Sequence, residues 1–163
     1  MIWRAYLGVT AITVAIAPVR ASAQTGVPTS VRAVAGCYAL TLGEWRGRMR
    51  SGSTDWHEPP RTFQLDTIRS TRRPASYAAR PRWVYLDPRR TTLPPWWHLY
   101  QSDSLEVVWS TGFSGVTVSF AIRGDSLVGG RAQAFADVRG ETQPWAPAAA
   151  VRMTCPPEFR APG

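Results

Sequence analysis

The chain has no lysine and no asparagine, only two cysteines and two histidines, and no apolar run long enough to span a bilayer as a helix. Each scarcity narrows the chemistry. His57 and His98 fall on expected loops, and His57-Glu58 runs into Pro59-Pro60, so a helical H-E-x-x-H zinc site is excluded. Gly112-Phe113-Ser114-Gly115 lacks the second glycine of a G-x-S-x-G nucleophile elbow, because Val116 stands in its place. Phosphate-cradling glycine loops are absent. The carboxylates Asp103, Glu106 and Asp125 sit at turn or polar-face positions, where solvation is the expected role. No catalytic residue, no cofactor and no metal is therefore expected, and an enzyme is not the reading.

What is present begins with an export signal. Met1 to Arg4 carry one Arg and no acid, Ala5 to Ala17 form a secretory-length apolar run, and Pro18 ends it. Ala21, Ser22 and Ala23 supply the small-x-small pattern of a cleavage site before Gln24. This predicts a signal peptide over 1–23, a disordered leader over 24–32, one domain over 33–157 and a flexible tail over 158–163. The expected location is secreted or periplasmic, with no transmembrane segment in the mature chain and no nucleic acid as partner. About 140 residues remain, enough for one core that buries roughly two thirds of the unfolded surface.

Two cysteines in an exported chain are most simply a pair, so Cys37 and Cys155 are expected to form a disulfide. Val34-Ala35-Gly36-Cys37 also spells a lipobox, with Cys37 as an acylated residue in the alternative. The polar stretch Gln24 to Arg32 separates it from the apolar run, and lipidation would leave Cys155 alone.

All basic residues are Arg, a bias of base composition. Loss of Arg4 and Arg20 with the signal lowers the formal charge from +8 to about +6. Most of the excess lies in 61–90, where Arg61, Arg69, Arg72, Arg73, Arg80, Arg82, Arg89 and Arg90 face only Asp66 and Asp87. A solvated loop region is one reading. The other is a patch, with Arg72, Arg73, Arg89 and Arg90 at its centre, that meets an anionic envelope component.

Alternation predicts strands over Ala33–Leu42, Thr62–Asp66, Trp83–Leu86, from about Trp97, over Ser104–Ser110, Val116–Arg123, Ser126–Asp137 and Ala148–Thr154, with no helix. Gly124-Asp125 fits a two-residue turn, which also accounts for the Arg123-Gly124-Asp125 triplet without an adhesion motif. Gly129-Gly130 suggests a bulge. The pattern implies an all-β fold: an antiparallel up-and-down β-barrel of about eight strands, first and last strands joined by the disulfide, with a β-sandwich as the alternative. An outer-membrane barrel suits the length, but too few strands reach the roughly 9 to 11 residues it needs.

One difficulty stands. Cys37 lies opposite Tyr38, Leu40 and Leu42, whereas Cys155 is in phase with Val151 and Met153. If each apolar set is core, the cysteines face opposite ways, unless a bulge switches the face or Cys155 has already left the strand.

Gly36-Cys37-Tyr38 at the start of the first strand is similar to the Gly-x-Trp entrance of calycin barrels, the lipocalins, avidins and fatty-acid-binding proteins. The resemblance implies a lipocalin-like barrel with a ligand cup and an Arg, here Arg152, packed over the aromatic. Tyr38 departs from the usual Trp. Seven tryptophans remain after cleavage, either as core or as ligand contacts. The function read from this is a binding module for a small hydrophobic molecule, with Tyr38, Trp97, Trp109 and Phe120 as lining residues. The alternative is an envelope interaction protein docking an anionic partner through 61–90.

Overall fold

The structure, a computed structural model, describes residues 27–47, 58–82, 92–101, 103–136 and 143–159. The expected signal peptide, the strand expected at Trp83–Leu86, and Arg89 and Arg90 lie outside the described residues. Eight strands run in chain order: β1 Gly36–Leu42, β2 Thr62–Arg69, β3 Tyr77–Arg80, β4 Trp96–Tyr100, β5 Ser104–Ser110, β6 Ser114–Arg123, β7 Ser126–Ala136 and β8 Trp145–Met153. Each pairs antiparallel with the next, and β1 pairs with β8 to close the barrel. The expected all-β barrel is thus the observed fold. Closure satisfies the edge groups that an open sheet would leave unpaired.

The period of two sorts the side chains. Tyr38, Leu40, Phe63, Leu65, Tyr77, Trp97, Leu105, Val107, Trp109, Val116, Val118, Phe120 and Leu127 point inward and are buried. Opposite them, β8 and the part of β7 beyond its bulge contribute only alanines, Ala132, Ala134, Ala146, Ala148 and Ala150. Small residues on one wall make room for large rings on the other. The outer face carries polar and charged groups such as Thr41, Gln64, Asp66, Arg80, Glu106 and Arg131. An apolar interior inside such a wall is the reverse of a transmembrane barrel, whose lumen is polar and whose wall is apolar.

Two turns follow the sequence closely. Gly124 has φ 58° between β6 and β7, which the tight turn requires. At Gly129-Gly130 the register shifts against both neighbours, so the bulge is real. A Cβ on Gly130 would lie 2.5 Å from Phe120 Cδ1 and 2.6 Å from the Ser119 carbonyl oxygen. Only glycine lets the bulged strand approach that closely.

The seam resolves the conflict over the cysteines. Val151 and Met153 do not face the core: they are exposed on the outer wall, and Ala146, Ala148 and Ala150 are the buried inward residues of β8. Cys37 is opposite Met153 in the register, so both belong to the outer face. β8 ends at Met153, and Cys155 lies two residues beyond, diagonal to Cys37. Their Cα atoms are 5.1 Å apart and the sulfurs are bonded at 2.04 Å. The lipobox alternative is excluded in this state, since both thiols are spent.

Other expectations need correction. An α-helix, α1, covers Thr29–Val34, inside the stretch expected to be a disordered leader and then strand. With Pro28 before it, the helix has one and a half turns, too few for a periodic signal, and Val31 and Val34 at i and i+3 join the core. The strand expected from Ala33 begins only at Gly36. β2 runs on to Arg69, and an unforeseen β3 occupies the loose middle. At the other end, Pro157–Phe159 form a short 3-10 helix with Phe159 buried, so the first two residues of the expected tail belong to the fold.

Candidate functional site

The four residues expected to line a ligand cup all lie inside. Tyr38 stacks on Phe63 at 5.6 Å, Phe63 meets Trp109 edge-on at 5.8 Å and Phe120 at 6.4 Å, and Trp97 packs on Tyr77 at 5.3 Å. Both buried indoles donate to backbone carbonyls: Trp97 to Asp66 at 2.9 Å and Trp109 to Pro81 at 3.2 Å. Tyr38, Trp97, Trp109 and Phe120 expose 1, 0, 1 and 3 % of their surface. A void wide enough for water would leave its lining accessible, so the interior around these rings is filled by the rings themselves.

Arg152 lies over the Tyr38 ring at 5.2 Å and donates to the Tyr38 hydroxyl at 3.0 Å and to the carbonyls of Ala33 and Ala35 at 2.6 and 2.8 Å. Asp125 Oδ1 is 3.0 Å from Arg152 Nε, within ion-pair range although not aligned as a hydrogen bond. Tyr38 in turn donates to the Val34 carbonyl at 2.7 Å. The cluster pins α1 to the seam. Burial pushes the Tyr38 phenol above its ordinary range, with Arg152 opposing, so it stays protonated and available as donor.

The recess with charged donors is outside, on the barrel wall. A groove of about 330 Å³ is floored by Trp96, Val108, Ser110 and Phe135 and overhung by Arg72 and Arg73. Three local features build it. The loop between β2 and β3 folds on itself, with Ser76 Oγ donating to the Arg73 carbonyl at 2.7 Å, Arg72 N–H to Ser70 Oγ at 3.1 Å and Ala75 at φ 60°. That closed loop holds the arginines over β4. At the far side, a Cβ on Gly115 would lie 2.6 Å from Phe135 Cζ, so glycine lets the Phe135 ring lie across β6. Val108 points outward yet is buried, covered as part of this external apolar floor.

The Arg73 guanidinium sits 5.1 Å over Trp96, and His98 stacks on Trp96 at 5.3 Å with 26° between the rings. Tyr100 meets His98 edge-on at 4.2 Å. A smaller recess of about 170 Å³ beside Trp96 is lined by Arg73, Pro74, Ser76 and His98. Burial first, and Arg73 second, lower the His98 pKa, so the imidazole is neutral at pH 7. Burial raises the pKa of Glu106, across from His98 on β5, with Tyr100 and Arg73 opposing.

Among the described residues no acid lines the groove and neither Arg72 nor Arg73 has an ion-pair partner within 4.0 Å, although Glu106 lies near enough to feel the Arg73 charge. Elsewhere in the basic segment, Arg61 pairs with Glu58, Arg80 pairs with Asp66, and Arg69 stacks on Tyr77 at 4.6 Å. The expected patch is therefore not uniform: Arg61 and Arg80 are paired, whereas its described centre, Arg72 and Arg73, keeps its charge, as do Arg69 and Arg82. A stacked guanidinium loses little further freedom when it binds, and its fork of N–H donors suits carboxylate, sulfate or phosphate.

Sequence reasoning missed Trp96 and Phe135 as site residues. Trp96, His98 and Tyr100 share one phase and Trp97 and Leu99 the other, so the signal lay in the alternation, with the polar-tipped rings marking the outer face. No known protein family matches the chain, and no curated protein or solved structure is similar to it at a significant level.

Proposed function

We propose that the protein is an exported β-barrel binding module that docks an anionic component of the cell envelope through the outer-wall groove. The observation that carries this reading is the pair of arginines without acid partners held by a closed loop over an aromatic floor. The Cys37–Cys155 disulfide supports residence in an oxidising compartment, where such bonds persist. Gly36-Cys37-Tyr38 with Arg152 over the ring supports kinship with calycin barrels.

For the hydrophobic-ligand alternative, support comes from a crevice of about 440 Å³ between the C-terminal segment and β3 rather than from the filled interior. It is lined by Ala78, Pro81, Pro94, Pro95 and Phe159, with Arg80, Arg82 and Glu158 among its walls. Such a crevice suits a small apolar molecule. The outer-wall groove has the charges and the ring contacts, and it is the preferred site.

The test is elution of the folded protein from immobilised acidic polysaccharide and from anionic vesicles in a salt gradient. Retention on either should fall with salt, and Arg72→Ala/Arg73→Ala should elute markedly earlier while Arg61→Ala does not. Equal retention of the double variant and wild type would end this reading.

A further inference from the structure

Resting on the groove as an anion site, the barrel register carries a second conclusion about the length and kind of its ligand. Trp96 is opposite Val108, Val108 opposite Thr117, Thr117 opposite Gln133, and Gln133 opposite Trp145. These five residues form one row on the outer face, crossing from β4 to β8. At the far end Trp145 carries a second guanidinium cluster, with Arg46 at 5.0 Å and Arg131 at 4.6 Å from its ring. The two chains are locked there by reciprocal backbone bonds, Arg46 N–H to the Trp145 carbonyl at 2.7 Å and Trp145 N–H to the Arg46 carbonyl at 2.9 Å. Both arginines are exposed, and neither has an acid partner among the described residues.

The groove holds the first two residues of this row, Trp96 and Val108, and reaches β7 at Phe135, one row over from Gln133. Four strand steps of about 4.8 Å put the ends of the row about 19 Å apart along the sheet. On a barrel with strands tilted about 40°, that row turns through roughly a quarter to a third of the circumference. A flat surface touching one cluster bends away from the other. A chain can follow the wall.

The side chains between the clusters are uncharged: Ser110, Thr117 and Gln133, the last donating to Gln143. Glu106, two residues from Val108 on the same face, is the one acid nearby among the described residues, and its charge is met by Tyr100 and Arg73. Charge at the ends with hydroxyl and amide groups between them suits a ligand whose acids are spaced by hydroxyls. A polyphosphate, whose charges stand closer together than those of a chain of acidic sugars and have no hydroxyls between them, would leave more of its anions unmatched along such a row.

We propose that the groove's ligand is an acidic polysaccharide chain, gripped at Arg72–Arg73–Trp96 and again at Arg46–Trp145–Arg131. Holding both clusters makes the second contact intramolecular, so a chain long enough to span them binds more tightly than its short fragment by about a hundredfold.

The experiment is calorimetric titration of the intact disulfide-bonded protein at one salt concentration with a uronate disaccharide, polyuronate, polyphosphate and anionic phospholipid vesicles. Polyuronate should bind about a hundredfold more tightly per site than the disaccharide. Arg46→Ala/Arg131→Ala should erase that gain, so that polyuronate binds no more tightly than the disaccharide does at the Arg72–Arg73 cluster, with Arg46→Lys/Arg131→Lys retaining part of it. Arg72→Ala/Arg73→Ala should weaken both ligands. Equal affinity for short and long uronates, or indifference of polyuronate to the Arg46 and Arg131 variants, overturns the two-point grip while the groove reading survives. Binding of vesicles or polyphosphate without polyuronate overturns the polysaccharide class. Failure of all four ligands overturns the groove reading itself.

Discussion

Removing the disulfide should lower stability steeply without opening the barrel. The bond closes a loop of 118 positions, and restraint of the unfolded chain by a loop of that length amounts to about 5 kcal/mol. In the folded state the seam does not depend on it, because β1 and β8 pair at six positions from Cys37–Met153 to Leu42–Ala148. Cys37→Ala/Cys155→Ala should therefore keep a wild-type circular dichroism spectrum at 20 °C. Its thermal midpoint should fall by roughly 15–25 °C, at about 3–5 °C per kcal/mol for a domain of this size. Alanine is the right replacement for Cys37, which is buried, since it leaves no unpaired hydroxyl. A fall of less than about 5 °C would refute the loop-restraint reasoning. An unfolded spectrum at 20 °C would refute the claim that backbone pairing alone closes the seam.

Gly130→Ala should destabilise by about 3 kcal/mol, because the new methyl meets the Ser119 and Ala148 carbonyl oxygens as well as Phe120; urea denaturation reads it, and a loss below about 1 kcal/mol would contradict the close approach. Arg152→Ala should cost about 3 kcal/mol by stripping donors from the Ala33, Ala35 and Tyr38 oxygens, and amide exchange should show α1 opening ahead of the barrel. His98 has a folded pKa below its unfolded 6.5, so its contribution is present above pH 6.5 and is lost as acidification protonates the unfolded state first. Thermal midpoints between pH 7.5 and 5 should accordingly drop less for His98→Gln than for wild type, and parallel curves would count against the burial of that imidazole.

The barrel was legible because its information is local and periodic. β5 and β6 alternate over long runs, Gly124 and Gly129-Gly130 mark the turn and bulge, and the strands from Ser104 to Ala136 match the alternation closely. β3 was not, since Tyr77-Ala78-Ala79-Arg80 is four residues long and pairs with β4 at only two positions. The error at the seam came from treating Val151 and Met153 as core by their hydrophobicity. In a barrel whose other wall carries Trp97, Trp109, Phe63 and Phe120, the space facing them is filled by the alanines of β8 and of β7 beyond its bulge, so Val151 and Met153 are turned outward. The site was half legible. Excess Arg pointed to the segment, but which guanidiniums lack an acid partner depends on Glu58 and Asp66 arriving beside Arg61 and Arg80, and on a register that aligns Trp96 with Trp145. Those are nonlocal facts.

Backbone amide and indole resonances followed by NMR during titration with polyuronate test the central claim most directly, since they locate the ligand on the barrel. The account predicts shifts that saturate at Arg72, Arg73, Trp96, Ser110 and Phe135 on the outer wall, with the Trp97 and Trp109 indole signals unmoved because their N–H groups stay bonded to the Asp66 and Pro81 carbonyls. Saturable shifts of the Trp97 and Trp109 indoles, with the outer wall unchanged, would place the ligand inside and contradict it.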